Sequence, residues 1–236
     1  MFCGRGMRMR ARRTIVVHTK LSGHLLRVDA ARKGSNGVNV LTMAQLAARL
    51  AGGFLQPIDP ERLQEAVQSA LASSSLGELD VIKALPGMTR AAVSTLDKVW
   101  RACIDLSTSA NRRLTALSTL ESEVLRVLPP SMKRPSDLVE LACARIHHAS
   151  AAIGPVEIHG HSEMSPCWRP LLAALTTVVP VAWVAGTRPA PTWLDVMNID
   201  VLRDSPNAPE SRLFSCANPQ HEALEAFRWM RELLAG

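Results

Sequence analysis

The sequence predicts an α/β protein in which a mostly parallel sheet is interrupted by an all-helical insertion. Three observations lead there. Residues Thr14 to Phe54 alternate strand and helix patterns with short connections, the signature of βαβ units and parallel pairing. From residue 58 to residue 153 the apolar spacing is helical throughout. At Gly154 the strand–helix alternation resumes.

The elements follow in order. Thr14-Ile15-Val16-Val17-His18 is a β-branched run of the kind buried in a parallel sheet. Beyond Thr19-Lys20, the residues Leu21, Leu25, Leu26, Val28 and Ala31 recur on one helical face. Gly34-Ser35-Asn36-Gly37 stops that helix, because these residues tolerate positive φ. Val38–Leu41 is a second strand, and Thr42 caps a helix carrying Leu46, Ala47, Leu50 and Ala51. Parallel sheets gather functional residues at the C-terminal ends of their strands, which singles out Thr19, Lys20 and Thr42. Pro57-Ile58-Asp59-Pro60 then turns the chain, with Asp59 an N-cap and Pro60 at the first helical position. Helical patterns cover Glu61–Ala72, Leu76–Leu85, Thr89–Leu106, Asn111–Leu128 and Pro135–Ile153. Pro155–His159 and Val181–Ala185 read as strands, Ile199–Leu202 and Arg212–Ser215 as weaker ones. Helices are expected over Ser165–Val178 and, amphipathic, over Pro219–Leu234.

Composition sets bounds on function. A chain of 236 residues can bury a large core, and its 47% hydrophobic content is that of a globular protein. No apolar run reaches the roughly 18 residues that span a bilayer, so no membrane association is expected. The five arginines of Met1–Arg13 precede no apolar core segment and make no secretory signal; residues 1–13 read as a basic, disordered tail. Five scattered cysteines without a CxxC pair fit reduced thiols and a cytoplasmic location. The net charge of +6 admits an anionic partner, although much of it sits in the tail.

Several stretches resemble superfamily 1 DNA helicases. Thr42-Met43-Ala44-Gln45-Leu46-Ala47-Ala48-Arg49-Leu50 resembles their Thr-Phe-His-x-Leu-x-x-Arg-Leu segment, and Ile15-Val16-Val17-His18-Thr19-Lys20 looks like their strand-plus-Thr motif. Ser215-Cys216-Ala217-Asn218-Pro219-Gln220-His221-Glu222-Ala223-Leu224 is similar to the strand and helix that open the second RecA-like domain. In order and spacing the chain resembles the N-terminal part of AddB-type double-strand-break repair proteins, where a degenerate helicase region precedes a PD-(D/E)XK nuclease domain. The resemblance implies a RecA-like domain over residues 14–57 and 154–210, a helical insertion over 58–153, and the start of a second helicase-like domain over 211–236. It implies single-stranded DNA binding at Thr19, Lys20, Thr42 and Arg49, and a helicase-nuclease partner of the AddA type.

Where the chain departs from that family, nucleotide chemistry is expected to be lost. Only Met1–Arg13 precedes the first strand, and Gly4-Arg5-Gly6 does not make the phosphate-binding loop with its lysine and hydroxyl. His159-Gly160-His161-Ser162 stands where the magnesium-holding Asp-Glu pair would be. Gly186-Thr187-Arg188-Pro189-Ala190 keeps the glycine of Gly-Asp-x-x-Gln, with Thr187 for the Asp and Ala190 for the Gln. No cofactor, no metal site and no catalytic residue is therefore expected. His159-x-His161 has no third ligand at motif spacing, and Cys216 with His221 fits a structural thiol better than a nucleophile and base. Thr42 serves equally as an N-cap, and Thr19-Lys20 as a solvated strand end. Trp100, Trp168, Trp183 and Trp229 sit in apolar periodicity and are expected in the core, leaving Trp193 as the exception. The expected function is an ATPase-silent helicase-like module that binds single-stranded DNA. The alternatives are a scaffold that only holds a partner helicase subunit, and a small-molecule enzyme on a Rossmann-like sheet, which the missing GxGxxG disfavours.

Overall fold

A computed structural model describes residues 12–108, 111–186, 189–203, 216 and 218–235. Five parallel strands form the central sheet: β1 (Arg13–Val17), β2 (Val38–Leu41), β5 (Val156–His159), β6 (Val181–Gly186) and β7 (Asp200–Arg203), in the order β2-β1-β5-β6-β7. Counted within the sheet this is 2-1-3-4-5, one of the common doubly wound orders, shared with flavodoxin-type sheets. The parallel sheet expected from the sequence is present, with all four of its strongest strands in register.

The two faces of this sheet are covered unequally. Val16, Ile158 and Trp183 point to one face, where they meet α2 (Met43–Ala51), α6 (Pro135–Ala144) and α8 (Arg169–Thr176) through Leu46, Leu50, Leu138, Ala142, Leu171, Leu172 and Leu175. On the other face Ile15, Val17 and Val40 pack against α1 (Lys20–Arg32). Farther along that face the strands carry a polar row instead, an Arg13–Glu157 ion pair at 3.2 Å and a Glu157–His159 hydrogen bond at 3.0 Å.

α1 corrects one sequence expectation. Leu21 and Leu25 do not join the buried stripe but are 69% and 61% exposed. The cause is Gly23. A Cβ there would lie 3.2 Å from Val17 Cγ2 and 3.5 Å from Val40 Cγ1, so the helix backbone itself rests on the sheet. Leucines on either side are then splayed outward, and only Leu26 reaches the core. Arg27 anchors the helix by donating to the Val40 carbonyl at 2.6 Å.

A helical lobe stands between β2 and β5. It comprises α3 (Pro60–Ser73), α4 (Met88–Ala102) and α5 (Arg112–Val127), with a core of Leu63, Val67, Leu71, Leu96, Val99, Trp100, Leu120 and Val124. Asp59 caps α3 by accepting from the Glu61 amide, and Pro60 opens it, as expected. Leu76–Leu85 is not the expected helix: a 3-10 turn over Gly77–Val81 and further tight turns replace it. The helical span expected to reach Leu106 ends at Cys103, the one described non-glycine residue with positive φ (57°).

The chain leaves for the lobe and returns from it side by side. β3 (Gln56–Pro57) pairs in parallel with β4 (Met132–Lys133), and the Gln56 amide donates to Ser131 at 2.9 Å. This two-stranded joint is absent from the sequence expectation, and it moves the boundary. The stretch expected as one last lobe helix, Pro135–Ile153, is α6, a 3-10 turn (Ile146–His148) and α7 (Ala149–Ala152). Leu138, Val139, Ala142, Ala149 and Ile153 belong to the sheet's core, not the lobe's.

Residues assigned to the tail also enter the fold. Arg12 donates to the Ala151 carbonyl at 3.2 Å, and Arg13 begins β1. Thr14, fully buried, gives its hydroxyl to the Ile153 carbonyl at 2.8 Å. Residues 1–11 and the expected strand Arg212–Ser215 lie outside the described residues.

The chain divides into two compact units, residues 1–203 and 204–236. In the second, α9 (Pro219–Ala235) is the expected amphipathic helix, with the Asn218 side chain taking the His221 amide at 3.0 Å. Leu224, Phe227, Trp229 and Met230 are exposed on it, so Trp229 is not the core residue expected. No helix among the described residues is long and apolar enough to cross a membrane.

Candidate functional site

In a doubly wound sheet the crossovers from one strand go left and those from its neighbour go right, and a crevice opens where the direction changes. Here that place lies between β1 and β5. A cleft of about 430 Å³ occupies it, lined by Val17 and His18 at the end of β1, Thr42 to Gln45 at the start of α2, Asp59 at the start of α3, Arg101 of α4, and His161 and Glu163 beyond β5. Sheet and lobe thus share its walls.

Thr42 is built into this cleft by a capping box. Its hydroxyl accepts from the Gln45 amide at 3.3 Å while the Gln45 side chain accepts from the Thr42 amide at 2.9 Å. The amides of Met43 and Ala44, which an α-helix leaves without internal partners, are at the same end, together with the positive end of the helix dipole. Thr19, next to His18, caps α1 through its hydroxyl, which accepts from the Ser22 amide at 3.1 Å without a reciprocal side-chain bond to the Thr19 amide. Two capped helix starts therefore follow the adjacent strands β1 and β2.

The other expected residues are placed as follows. Lys20 is the first residue of α1, and its side chain lies outside the described part. Arg49 stands two turns along α2, about 10 Å from Thr42 at the helical rise. It is exposed and donates to Asn39 of β2 at 3.4 Å, so it braces the strand rather than the cleft rim. His159 turns along its strand to Glu157, and Gly160 makes the turn beyond it with φ of 70°. Gly186 ends β6 opposite Arg203, and Thr187 lies outside the described residues.

The histidine that reaches the cleft is His161. Its ring meets His18 edge-on, with centroids 5.2 Å apart, and its Nε2 is buried without a hydrogen-bond partner among the described residues. Burial chiefly, and then the charge of His18, hold its pKa below the ordinary 6.5, against the pull of backbone groups of Val17 and Glu163. The carboxylates of the cleft are already engaged. Asp59 caps α3, and Glu163 accepts from the Met164 amide (2.9 Å), the Trp193 indole (2.5 Å) and Arg169 (3.2 Å). Burial acts to raise the Glu163 pKa, but these donors more than offset it and hold the group below the ordinary carboxylate range. Trp193 is fixed between this carboxylate, Arg169 at 4.8 Å from its ring and the edge of Trp183 at 5.6 Å.

His18, Gln45 and Arg101 were not singled out from the sequence, and His161 was weighed there only as half of a metal pair with His159. Their common signal is position after a strand or at a helix end facing the switch point, and that point exists only once the strand order is known. Cys167 is buried, and burial first, then Cys103, push its thiol up to about 12, which makes it an inert core thiol. No cluster of three His, Cys, Asp or Glu side chains suited to a metal ion occurs among the described residues.

A scan against models of known protein families finds no match, and no curated protein matches the chain.

Proposed function

We propose that this chain is a helicase-like module that does not use nucleotide, and that the C-terminal edge of its sheet binds single-stranded DNA through the phosphate backbone. The observation that carries the reading is the capped start of α2 at Thr42, which lines the cleft at the switch point, with the capped start of α1 at Thr19 directly following His18 of that lining. Helix amides, threonine hydroxyls and a lysine are the groups that position phosphates without reading bases. In the cleft Glu163 and Asp59 accept from donors of the fold, and Arg101 is paired with Asp97 of its own helix, which leaves the start of α2 at Thr42 as the group offered to a phosphate. The RecA-like identity of the sheet, the AddB-type relationship and a partner of the AddA type rest on the sequence resemblance and stay part of this proposal. A parallel sheet with a helical lobe between its second and third strands supports them.

Fluorescence anisotropy with a labelled thymidine oligonucleotide tests the reading. Because Arg12 and Arg13 belong to the fold, the control deletes residues 1–11 only. The shortened chain is expected to bind, with affinity falling roughly tenfold between about 50 and 200 mM salt. Lys20→Ala with Thr42→Val is expected to weaken it further at unchanged secondary structure, and a fluorescent ATP analogue with magnesium is expected to show no saturable site. Loss of DNA binding on deletion alone, or micromolar ATP binding, would overturn the proposal.

A further inference from the structure

The cleft at the switch point holds two imidazoles whose charge can change, among neighbours whose charge cannot. Arg101 of its lining pairs with Asp97 at 2.7 Å, Glu163 pairs with Arg169 at 3.2 Å, and Asp59 caps α3. With neutral histidines, these two cations against three anions leave a surplus of one negative charge around the start of α2. Such a balance does not by itself draw in a phosphate. Imidazole is the side chain that ordinarily titrates between about pH 5 and 8, so His18 and His161 set the sign of the cleft.

Their placement suits a shared ligand. His18 is exposed just beyond β1, His161 follows β5, and these strands are neighbours across the switch point. The rings stand edge-on with centroids 5.2 Å apart. Of the buried side-chain nitrogens and oxygens without a partner among the described residues, His161 Nε2 belongs to the cleft lining; Asn39 Nδ2 and Ser74 Oγ do not. An unpaired buried nitrogen is costly, and an acceptor brought to it recovers that cost. Around the pair, α3 contributes Asp59, α4 Arg101 and the loop beyond β5 Glu163, while α2 contributes no titratable side chain and β6 the apolar Trp183. Burial first, and then the charge of His18, oppose protonation of His161; an anion between the rings counters both.

We propose that His18 and His161 are the phosphate-binding pair of the cleft and hold DNA in their protonated form, so that affinity at this edge rises on acidification. This role rests on the reading that the edge binds single-stranded DNA, and it adds the groups that make the cleft positive. Protonation of both rings turns the surplus from one negative to one positive charge. By linkage, a bound strand must in turn raise the proton affinity of both rings.

The test is anisotropy of the full chain with a labelled thymidine oligonucleotide at constant salt, between about pH 5.5 and about pH 7. Thymine, phosphodiesters and arginine do not titrate there, and residues 1–11 contain no histidine. Affinity is expected to rise at least about tenfold from the upper to the lower pH, since each proton taken up on binding allows up to about tenfold per pH unit. His18→Gln, at an exposed position, should lose part of that slope, and His18→Gln with His161→Asn should lose it all. Histidine NMR of the parent chain needs no variant: the titration midpoints of His18 and His161 should move upward by about 0.5 when the oligonucleotide is bound. Equal affinity across the range, or midpoints that ignore the oligonucleotide, would overturn the proposal while DNA binding at the edge stands. So would a slope that survives the double variant, because it would belong to His24, His147, His148, His159 or His221. No binding at any pH would overturn the DNA reading itself, and this role with it.

Discussion

A methyl group at Gly154 would lie 2.0 Å from the carbonyl oxygen of Arg12, and the residue's φ is +67°. This contact joins the chain entering β1 to the chain entering β5, beside the Thr14–Ile153 hydrogen bond. Gly154→Ala therefore combines left-handed strain with a steric clash, and a loss of about 2–4 kcal/mol is expected from the urea midpoint. An unchanged midpoint would mean that the entry to β1 is not held as described. His161 makes a second test at this scale. Its folded pKa lies below 6.5, so on acidification the unfolded chain takes up the proton first. Stability contributed by the neutral ring is full above about pH 6.5 and is lost as the pH falls from there towards the folded value. His161→Asn should flatten the stability profile across that window. A variant profile parallel to that of the parent chain would remove His161 from the cleft's energetics.

At the scale of elements, the lobe has a core of its own and is joined to the sheet's unit by the β3–β4 pair, by α4 packing against α6 and by the Arg134–Glu121 ion pair. Leu96 is fully buried in that core, and Leu96→Ala is expected to cost about 2–5 kcal/mol. If the lobe melts as one body with the sheet, the variant shifts a single calorimetric transition; two separated transitions would show that the lobe folds by itself. Where sequence and structure agree here, the reason is local. Asp59-Pro60 and Thr42 with Gln45 announce helix starts because capping is decided within four residues. The strands at Ile15, Val40, Ile158 and Val184 were readable as β-branched or apolar runs. What was missed depends on partners distant in the chain. Periodicity marks α6 as a helix but cannot say that Leu138 and Ala142 face the sheet rather than the lobe. The pairing of Gln56-Pro57 with Met132-Lys133 is too short to leave a pattern. Leu21 and Leu25 are apolar enough to suggest burial, yet Gly23 decides which face of α1 touches the sheet.

For the molecule as a whole, strand order turns scattered residues into a site. Thr19 and Thr42 were legible as strand-end residues, whereas His18, His161 and Arg101 acquire a common neighbourhood only when β1 and β5 become neighbours and α4 folds back over them. Arg49, chosen by resemblance, proves to be about two helical turns from that neighbourhood. The claim that matters most is that DNA is held at this edge of the sheet. Amide chemical-shift mapping on isotope-labelled protein, titrated with a short thymidine oligonucleotide, tests it most directly. The account predicts shifts that saturate together at Thr19, Lys20, Thr42 to Gln45 and His161, with residues Leu76 to Leu85 of the lobe unmoved. Shifts confined to residues 1–11, or centred on the lobe, would contradict it.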